Sequence, residues 1–323
     1  MEKWKREFIR YLFHYSASRM RIEPAYVVKH PHVPSLLYKY RRFSDYHKTA
    51  LEKGVLWTAS PDKFNDPYDS GVYFDIDRFL IEDQSAQEFI KSINEMKDAI
   101  CKGDHWTPKP IVKPIEQGEW RRKITNDLLA SAPTAGRDGI VKLIEKYFRN
   151  QSEQHVRNMS EGFRKGYGVL CLAENSTSVL MWSHYSQNHE GFCIEYNFDE
   201  LDPDDLRRRL CYPVFYRKKM ADATRYLRKG TFHDYNNLFG IFMCLLKSDE
   251  WEYEREWRIV ETIGPRVANR ELQMPKPSAI ILGAHVQAAD ESWIRKFCTD
   301  NAIPLKKTVQ RHNEFRLEIR DAA

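Results

Sequence analysis

Ten residues in the last quarter of the chain constrain it most: Trp251-Glu252-Tyr253-Glu254-Arg255-Glu256-Trp257-Arg258-Ile259-Val260. Side chains alternate across a β-strand, so as a strand this segment sets Trp251, Tyr253, Trp257 and Ile259 on one face and Glu252, Glu254, Glu256 and Arg258 on the other. Neighbours in the carboxylate row then stand roughly 7 Å apart, at about 3.3 Å of rise per residue, close enough to raise one another's pKa unless a cation intervenes. Such a row is either an outward face laced with cross-strand ion pairs or the wall of a site.

The rest of the chain supplies partners for that strand. Leu36 to Arg41 reads as a strand, Ser44 as an N-cap, Asp45 to Lys53 as a short helix, Gly54 as its stop and Val55 to Ser60 as the next strand. Turn chemistry follows at Pro61 to Pro67. Apolar residues at helical spacing from Phe79 to Phe148 predict a large helical insertion at about 79–165, interrupted by a connector at 102–118 with three prolines. Strand character returns at Gly168 to Leu172. Ser176-Thr177-Ser178 then caps a helix running to Gly191, and Phe192 to Phe198 alternates as a strand. Further strands are expected at 211–216, 251–260, 278–282 and 315–319, with a helix at 232–248. The fold class this predicts is α+β, with mixed, mainly antiparallel central sheets. Residues 1–35 form an N-terminal helix and linker, and 36–323 a single domain carrying the insertion.

The first strand applies the alternation to cations. Tyr38 and Tyr40 point one way, Lys39 and Arg41 the other. Beside the Glu254/Glu256 strand this would make a cleft with guanidinium on one wall and carboxylate on the other; apart from it, both are ion-paired sheet faces. Phe64-Asn65-Asp66-Pro67-Tyr68-Asp69 is a second polar cluster, which also reads as plain turn chemistry. In Met181-Trp182-Ser183-His184-Tyr185-Ser186-Gln187-Asn188-His189-Glu190 the two histidines are five apart, about 140° around a helix, which is wrong for a shared metal. His184 and Tyr185 therefore read as pocket-lining or core residues, and no metal is expected.

Composition sets the surroundings. No run of about 18 apolar residues occurs, so no membrane span is expected. The six cysteines lie far apart and form no C-x-x-C, which suits reduced core thiols and a cytoplasmic setting. A net charge of +5 is compatible with an anionic ligand or nucleic acid. The N-terminal helix places Trp4, Phe8, Ile9, Leu12 and Phe13 at helical spacing with Lys3, Lys5, Arg6 and Arg10 elsewhere, and is expected to dock on the core.

Four motifs in order resemble the bacterial domain-of-unknown-function 2971 family: Leu37 to Arg41; Leu56-Trp57 through Phe64 to Asp69; Cys171-Leu172 with Met181 to Tyr185 and Gly191 to Cys193; and Lys247 through Trp251, Glu254 and Glu256-Trp257-Arg258. That family name assigns no activity. The layout is also similar to that of ADP-ribosyltransferases, in which a first-strand basic residue holds NAD, aromatic side chains pack on nicotinamide and a late Glu binds the nicotinamide ribose. This resemblance implies Arg41 at the first-strand position, Ser60 at the middle one, and Glu254 with Glu256 as the closing E-x-E. It implies Glu256, Glu254 and Arg41 as catalytic residues, with Arg41 also joining Lys39, Tyr40, Ser60, Asn65, Asp66, His184 and Tyr185 around NAD as substrate. The function implied is an NAD-dependent effector, in a toxin or phage-defence setting, acting on nucleic acid or protein.

Two other readings stay open. Asp66, Asp69, Glu254 and Glu256 could gather around Mg²⁺ in a nuclease. Alternatively Tyr216 to Lys219 and Arg225 to Lys229 could grip phosphate in a non-enzymatic nucleic-acid-binding module.

Overall fold

A computed structural model describes residues 1–75, 160–224, 234–264 and 270–322, with single helical positions between 78 and 158. The strands are β1 (Leu36–Arg41), β2 (Val55–Trp57), β3 (Val72–Tyr73), β4 (Tyr167–Ala173), β5 (Phe192–Asn197), β6 (Cys211–Pro213), β7 (Phe215–Arg217), β8 (Ala221–Asp222), β9 (Leu246–Ser248), β10 (Glu256–Thr262), β11 (Glu271–Gln273), β12 (Ala279–Leu282), β13 (Leu305–Gln310) and β14 (Leu317–Asp321). The helices are α1 (Lys3–Leu12), α2 (Ile22–Lys29), α3 (Asp45–Lys53), α4 (Val179–Tyr185), α5 (Leu206–Arg209), α6 (Phe239–Met243) and α7 (Ala288–Asp300).

Eight strands form one sheet in the order β14-β13-β12-β5-β1-β4-β10-β6. Every neighbouring pair is antiparallel except β12 and β13, whose parallel pairing is made possible by the α7 crossover. The architecture is thus the expected mixed, mainly antiparallel α+β arrangement. Three two-stranded pairs, β2 with β11, β3 with β8 and β7 with β9, sit beside the main sheet.

Local chemistry sets several boundaries. The Ser44 hydroxyl accepts the His47 N–H and starts α3, and Gly54 at φ 65° stops it. Ser178 caps α4 by accepting the Met181 N–H. That helix ends at Tyr185 rather than near Gly191, because Gln187, Asn188 and His189 all adopt positive φ. Alternation along β1 separates two cores. Leu37 joins Leu170, Leu172, Ile194, Trp257 and Ile280 on one face, while Tyr38 and Tyr40 pack with Met181 and Trp182 of α4. Helix α1 docks on the protein as its pattern predicts: Phe8 and Leu12 are buried against Tyr212, Phe215 and Phe242.

The structure corrects four further expectations. Residues 249–254 form a 3-10 helix and β10 begins only at Glu256, with Arg255 between them at φ 44°. The Ser248 hydroxyl accepts the Glu250 N–H, and Asp249, Glu250 and Glu252 fill the first turn, so a helix-start signal overrides strand alternation. The helix expected at 232–248 is confined, among the described residues, to α6, and its last residues form β9. Phe239 to Met243 is buried all round, and a short apolar run does not distinguish helix from strand. The strand at 211–216 divides into β6 and β7, which belong to different sheets. The strand at 55–60 stops at Trp57, leaving Ala59 as a single bridge to Val169. Most of the expected insertion at 79–165, with its connector, lies outside the described residues, and those described within it up to 165 are helical. No described helix is long and apolar enough to cross a membrane.

Gly191 is where α4's exit, β5 and the end of β1 meet. A Cβ there would lie 2.1 Å from the Arg41 carbonyl oxygen and 2.9 Å from Ser186 atoms. Two of these three contacts are with backbone oxygens, which move at greater cost than a side-chain tip, so Gly191→Ala is expected to cost about 3 kcal/mol in urea unfolding. A loss within about 0.5 kcal/mol would show that the junction yields.

Candidate functional site

A break in the sheet builds the site. β1 meets β4 at one pair, Tyr38 opposite Ala173, and the two then part. Further along β4, Val169 exchanges both backbone hydrogen bonds with Ala59 instead, at 2.9 Å each. Between these contacts the Cys171 carbonyl accepts the Lys39 ammonium at 2.6 Å. A side chain thus supplies a hydrogen bond where a strand neighbour's amide would ordinarily stand. The gap opens into a cavity of about 230 Å³. Lys39 and Arg41 line one wall, Glu254 and Glu256 another, and Trp57, Phe64 and Tyr185 present aromatic surface.

Behind the carboxylate wall lies a buried ionic cluster. Arg258 is fully buried and grips Asp69 with both terminal nitrogens, each at 2.7 Å, while Nη2 also reaches Glu256 Oε2 at 2.8 Å and Nη1 the Cys244 carbonyl at 2.7 Å. Lys247 donates to Glu254 Oε2 at 2.5 Å and Glu256 Oε2 at 3.2 Å, with Asp69 Oδ2 at 3.6 Å. Glu254 Oε1 accepts the Tyr185 hydroxyl at 2.7 Å. Three carboxylates therefore share two cations.

The two glutamates are driven apart electrostatically. Burial pushes Glu256 up, but Arg258 and Lys247 prevail and hold its carboxyl down at about 2. Burial and the adjacent Glu256 raise Glu254 above the usual carboxylate range. Burial opposes the charge on Lys247, yet the Glu256, Glu254 and Asp69 carboxylates raise its pKa overall. A stable anion beside a carboxyl of higher proton affinity is the division of labour that acid–base sites use.

The cation wall is different. Arg41 makes no ion pair among the described residues, and burial lowers its pKa. Among the described residues Lys39 is held only by a carbonyl, and burial together with Arg41 lowers its pKa to about 7. A desolvated guanidinium without a counter-ion, facing a cavity, is costly unless an anion enters.

Of the residues named from sequence, Arg41, Lys39, Tyr40, Asn65, Tyr185, Glu254 and Glu256 come together around this cavity. Tyr40 is buried at its edge, with its ring against Trp182 and its hydroxyl donating to the Asn175 carbonyl at 2.6 Å. Ser60, Asp66 and His184 stand outside it. Ser60 is buried, with its hydroxyl committed to Asp62 and the Arg164 carbonyl. His184 is exposed, 3.2 Å from the Tyr253 hydroxyl. Asp66 lines a neighbouring cavity. From sequence, Asp69 was expected near the glutamates only as a Mg²⁺ ligand, and Lys247, Arg258 and Cys171 were not among the expected cavity residues. Arg258 had a signal, since two residues on a strand share a face and Glu256-x-Arg258 places the cation beside the carboxylate; Lys247 and Asp69 arrive from other elements, and no local spacing rule sets them against Arg258 and the glutamates. Among the described residues no group of three or more His, Cys, Asp or Glu is arranged to hold a metal ion.

The fold and site define an α+β protein whose main sheet opens between two strands onto a charged cavity. Residues 181–259 match the model of a family described as "Protein of unknown function (DUF2971)", which supports the family resemblance read from the motifs. That stretch includes Tyr185, Lys247, Glu254, Glu256 and Arg258. No curated protein and no solved structure matches the chain.

Two outcomes follow. Arg258→Met strands Asp69 and Glu256 without their buried partner and should lower unfolding free energy by about 3 to 5 kcal/mol in denaturant titration; a loss under about 1 kcal/mol would deny the cluster its structural role. Because Lys39 carries its charge below about pH 7 and loses it above, calorimetric affinity for inorganic pyrophosphate should fall several-fold from about pH 6 to about pH 8.5. Lys39→Ala should flatten that profile, and an equally steep profile in the variant would assign the titration to another group.

Proposed function

We propose that this protein is an NAD-consuming transferase of the ADP-ribosyl type, with Glu256 as the charge-stabilising carboxylate. The observation that carries this reading is the pairing, across one small cavity, of a guanidinium without a counter-ion, Arg41, with a glutamate held ionised, Glu256. A ligand satisfying both walls has an anionic linker and a reacting centre that becomes positive. NAD has both, in its diphosphate and in the ribose carbon left when nicotinamide departs with the bonding electron pair.

Each residue's part follows from its environment. Arg41 and Lys39 hold the diphosphate. Glu256 opposes the developing oxocarbenium charge, and being ionised in advance it needs no reorganisation during the reaction. Glu254, with its higher proton affinity and its hydrogen bond from Tyr185, takes the proton of the attacking acceptor group. The aromatic rings of Trp57, Phe64 and Tyr185 offer a surface for nicotinamide. A cavity of about 230 Å³ suits the nicotinamide-ribose end and not a whole dinucleotide, given that pockets enclosing drug-sized ligands usually start at about 300 Å³. Against the nuclease reading, Asp69, Glu254 and Glu256 already close on Lys247 and Arg258, so a divalent cation would have to displace an ammonium or a guanidinium.

Incubating the protein with NAD and candidate protein or nucleic-acid acceptors, and following nicotinamide release, tests the reading. Glu256→Gln should lower the rate about 100-fold or more, and Arg41→Ala should raise KM more than it lowers kcat. Release undiminished in Glu256→Gln would remove the catalytic assignment. Metal-dependent strand cleavage abolished by EDTA, without NAD binding, would replace the proposal with the nuclease.

A further inference from the structure

A second cavity, of about 340 Å³, lies beside the first, and Lys247 contributes to both. Its construction follows from two small sheets. β7 runs parallel to β9, with Arg217 opposite Ser248, and β8 runs parallel to β3. The connection between β7 and β8 therefore carries Arg217, Lys218 and Lys219 along one wall, facing the 66–71 loop. Trp251 and Tyr68 add aromatic surface, and Tyr68 is 69 % exposed.

Two groups in this cavity have unmet needs of opposite kinds. Asp66 is 7 % exposed; its Oδ1 accepts the Tyr68 N–H at 2.8 Å, but its Oδ2 is buried without a hydrogen-bond partner among the described residues. Leaving a buried carboxylate oxygen unpaired is unfavourable, so the position calls for a donor. Arg217 is half-buried, its Nε is also buried without a partner, and neither it, Lys218 nor Lys219 forms an ion pair among the described residues. Three consecutive cations without ion pairs among the described residues attract an anion, although exposed Glu250 also lines the cavity. Phosphate alone would satisfy the second need but would be repelled by Asp66. A hydroxyl alone would satisfy the first. A phosphorylated sugar presents an anion and hydroxyl donors on one rigid frame, and an attached base would find the Trp251 and Tyr68 rings.

We propose that this cavity binds a nucleotide unit, with its phosphate against Arg217, Lys218 and Lys219 and a sugar hydroxyl donating to Asp66 Oδ2. The unit is either a free nucleotide, the adenylate part of a dinucleotide included, or one residue of a nucleic-acid strand. This deepens the proposed function by placing a nucleotide next to the Glu254/Glu256 wall, but the binding itself does not depend on that chemistry.

The test uses the full chain with two probes, AMP by calorimetry and a labelled single-stranded RNA of about eight nucleotides by anisotropy. The double variant K218E/K219E changes only exposed side chains, so its fold should persist, which circular dichroism checks. At least one probe should bind, and the double variant should weaken it about tenfold or more. If the strand is the ligand, its salt dependence is steep, and the double variant lowers the slope of log affinity against log salt by about 1.4. If the free nucleotide is the ligand, AMP binds and the strand adds nothing. Asp66→Asn should weaken ribonucleotide binding more than binding of the 2′,3′-dideoxy analogue, which lacks the donating hydroxyls. Failure of both probes at millimolar concentration, or affinity unchanged in K218E/K219E, overturns the proposal. Glu256→Gln should bind the probe like the unmodified chain, so loss of nicotinamide release with probe binding intact separates the two readings.

Discussion

The bidentate contact of Arg258 with Asp69 is the interaction on which the site's arrangement depends. It joins β10 to the 64–70 loop, and the same guanidinium holds the Cys244 carbonyl just after α6, so three segments distant in sequence are fixed at one buried point. Its charge also sets the chemistry in front of it, because Glu256 remains ionised in a buried position chiefly through Arg258 and Lys247. Buried ion pairs of this kind contribute little net stability relative to apolar packing, yet removal of one partner is severe. The cluster is better understood as defining an arrangement than as strengthening the fold.

That arrangement faces a gap the sheet itself creates. Had β1 continued along β4 beyond Tyr38, the space would have been filled by an ordinary ladder; instead Ala59 takes over at Val169, and the Lys39 ammonium occupies the carbonyl between. The pocket thus costs few unsatisfied backbone groups. It also gives Lys39 and Arg41, which share Leu37's face of β1, a cavity to line from which they can meet a ligand.

Two cavities with complementary demands meet at Lys247. One sets cations without ion pairs among the described residues opposite a cation-backed carboxylate wall, and the other sets a basic run beside Glu250 and the buried Asp66. Nucleotide chemistry, with its phosphates, hydroxyls and flat rings, answers both. The short 3-10 helix at 249–254 is what lets them share a wall: it turns Glu254 inward to Tyr185 and Lys247 while leaving Glu252 exposed.

Much of this was legible in the residues. Ser44 and Gly54 bounded α3, alternation fixed β1 and β5, and the charged residues of Lys39-x-Arg41 and Glu256-x-Arg258 were separable from their apolar neighbours, because capping, left-handed glycine and strand alternation are local rules acting over a few residues. Alternation misled at 251–254, where a capped turn competed with it and won, and a short buried apolar run concealed the change from α6 to β9. What only the tertiary structure decided was that β1 leaves β4 after one pair, that Lys247 arrives to neutralise the glutamates while Asp69 holds Arg258 beside them, and that Ser60 and His184 stay outside the cavity. Those outcomes are set by contacts between segments tens to nearly two hundred residues apart, and no local spacing rule encodes which buried charges will be brought within a few ångströms of one another.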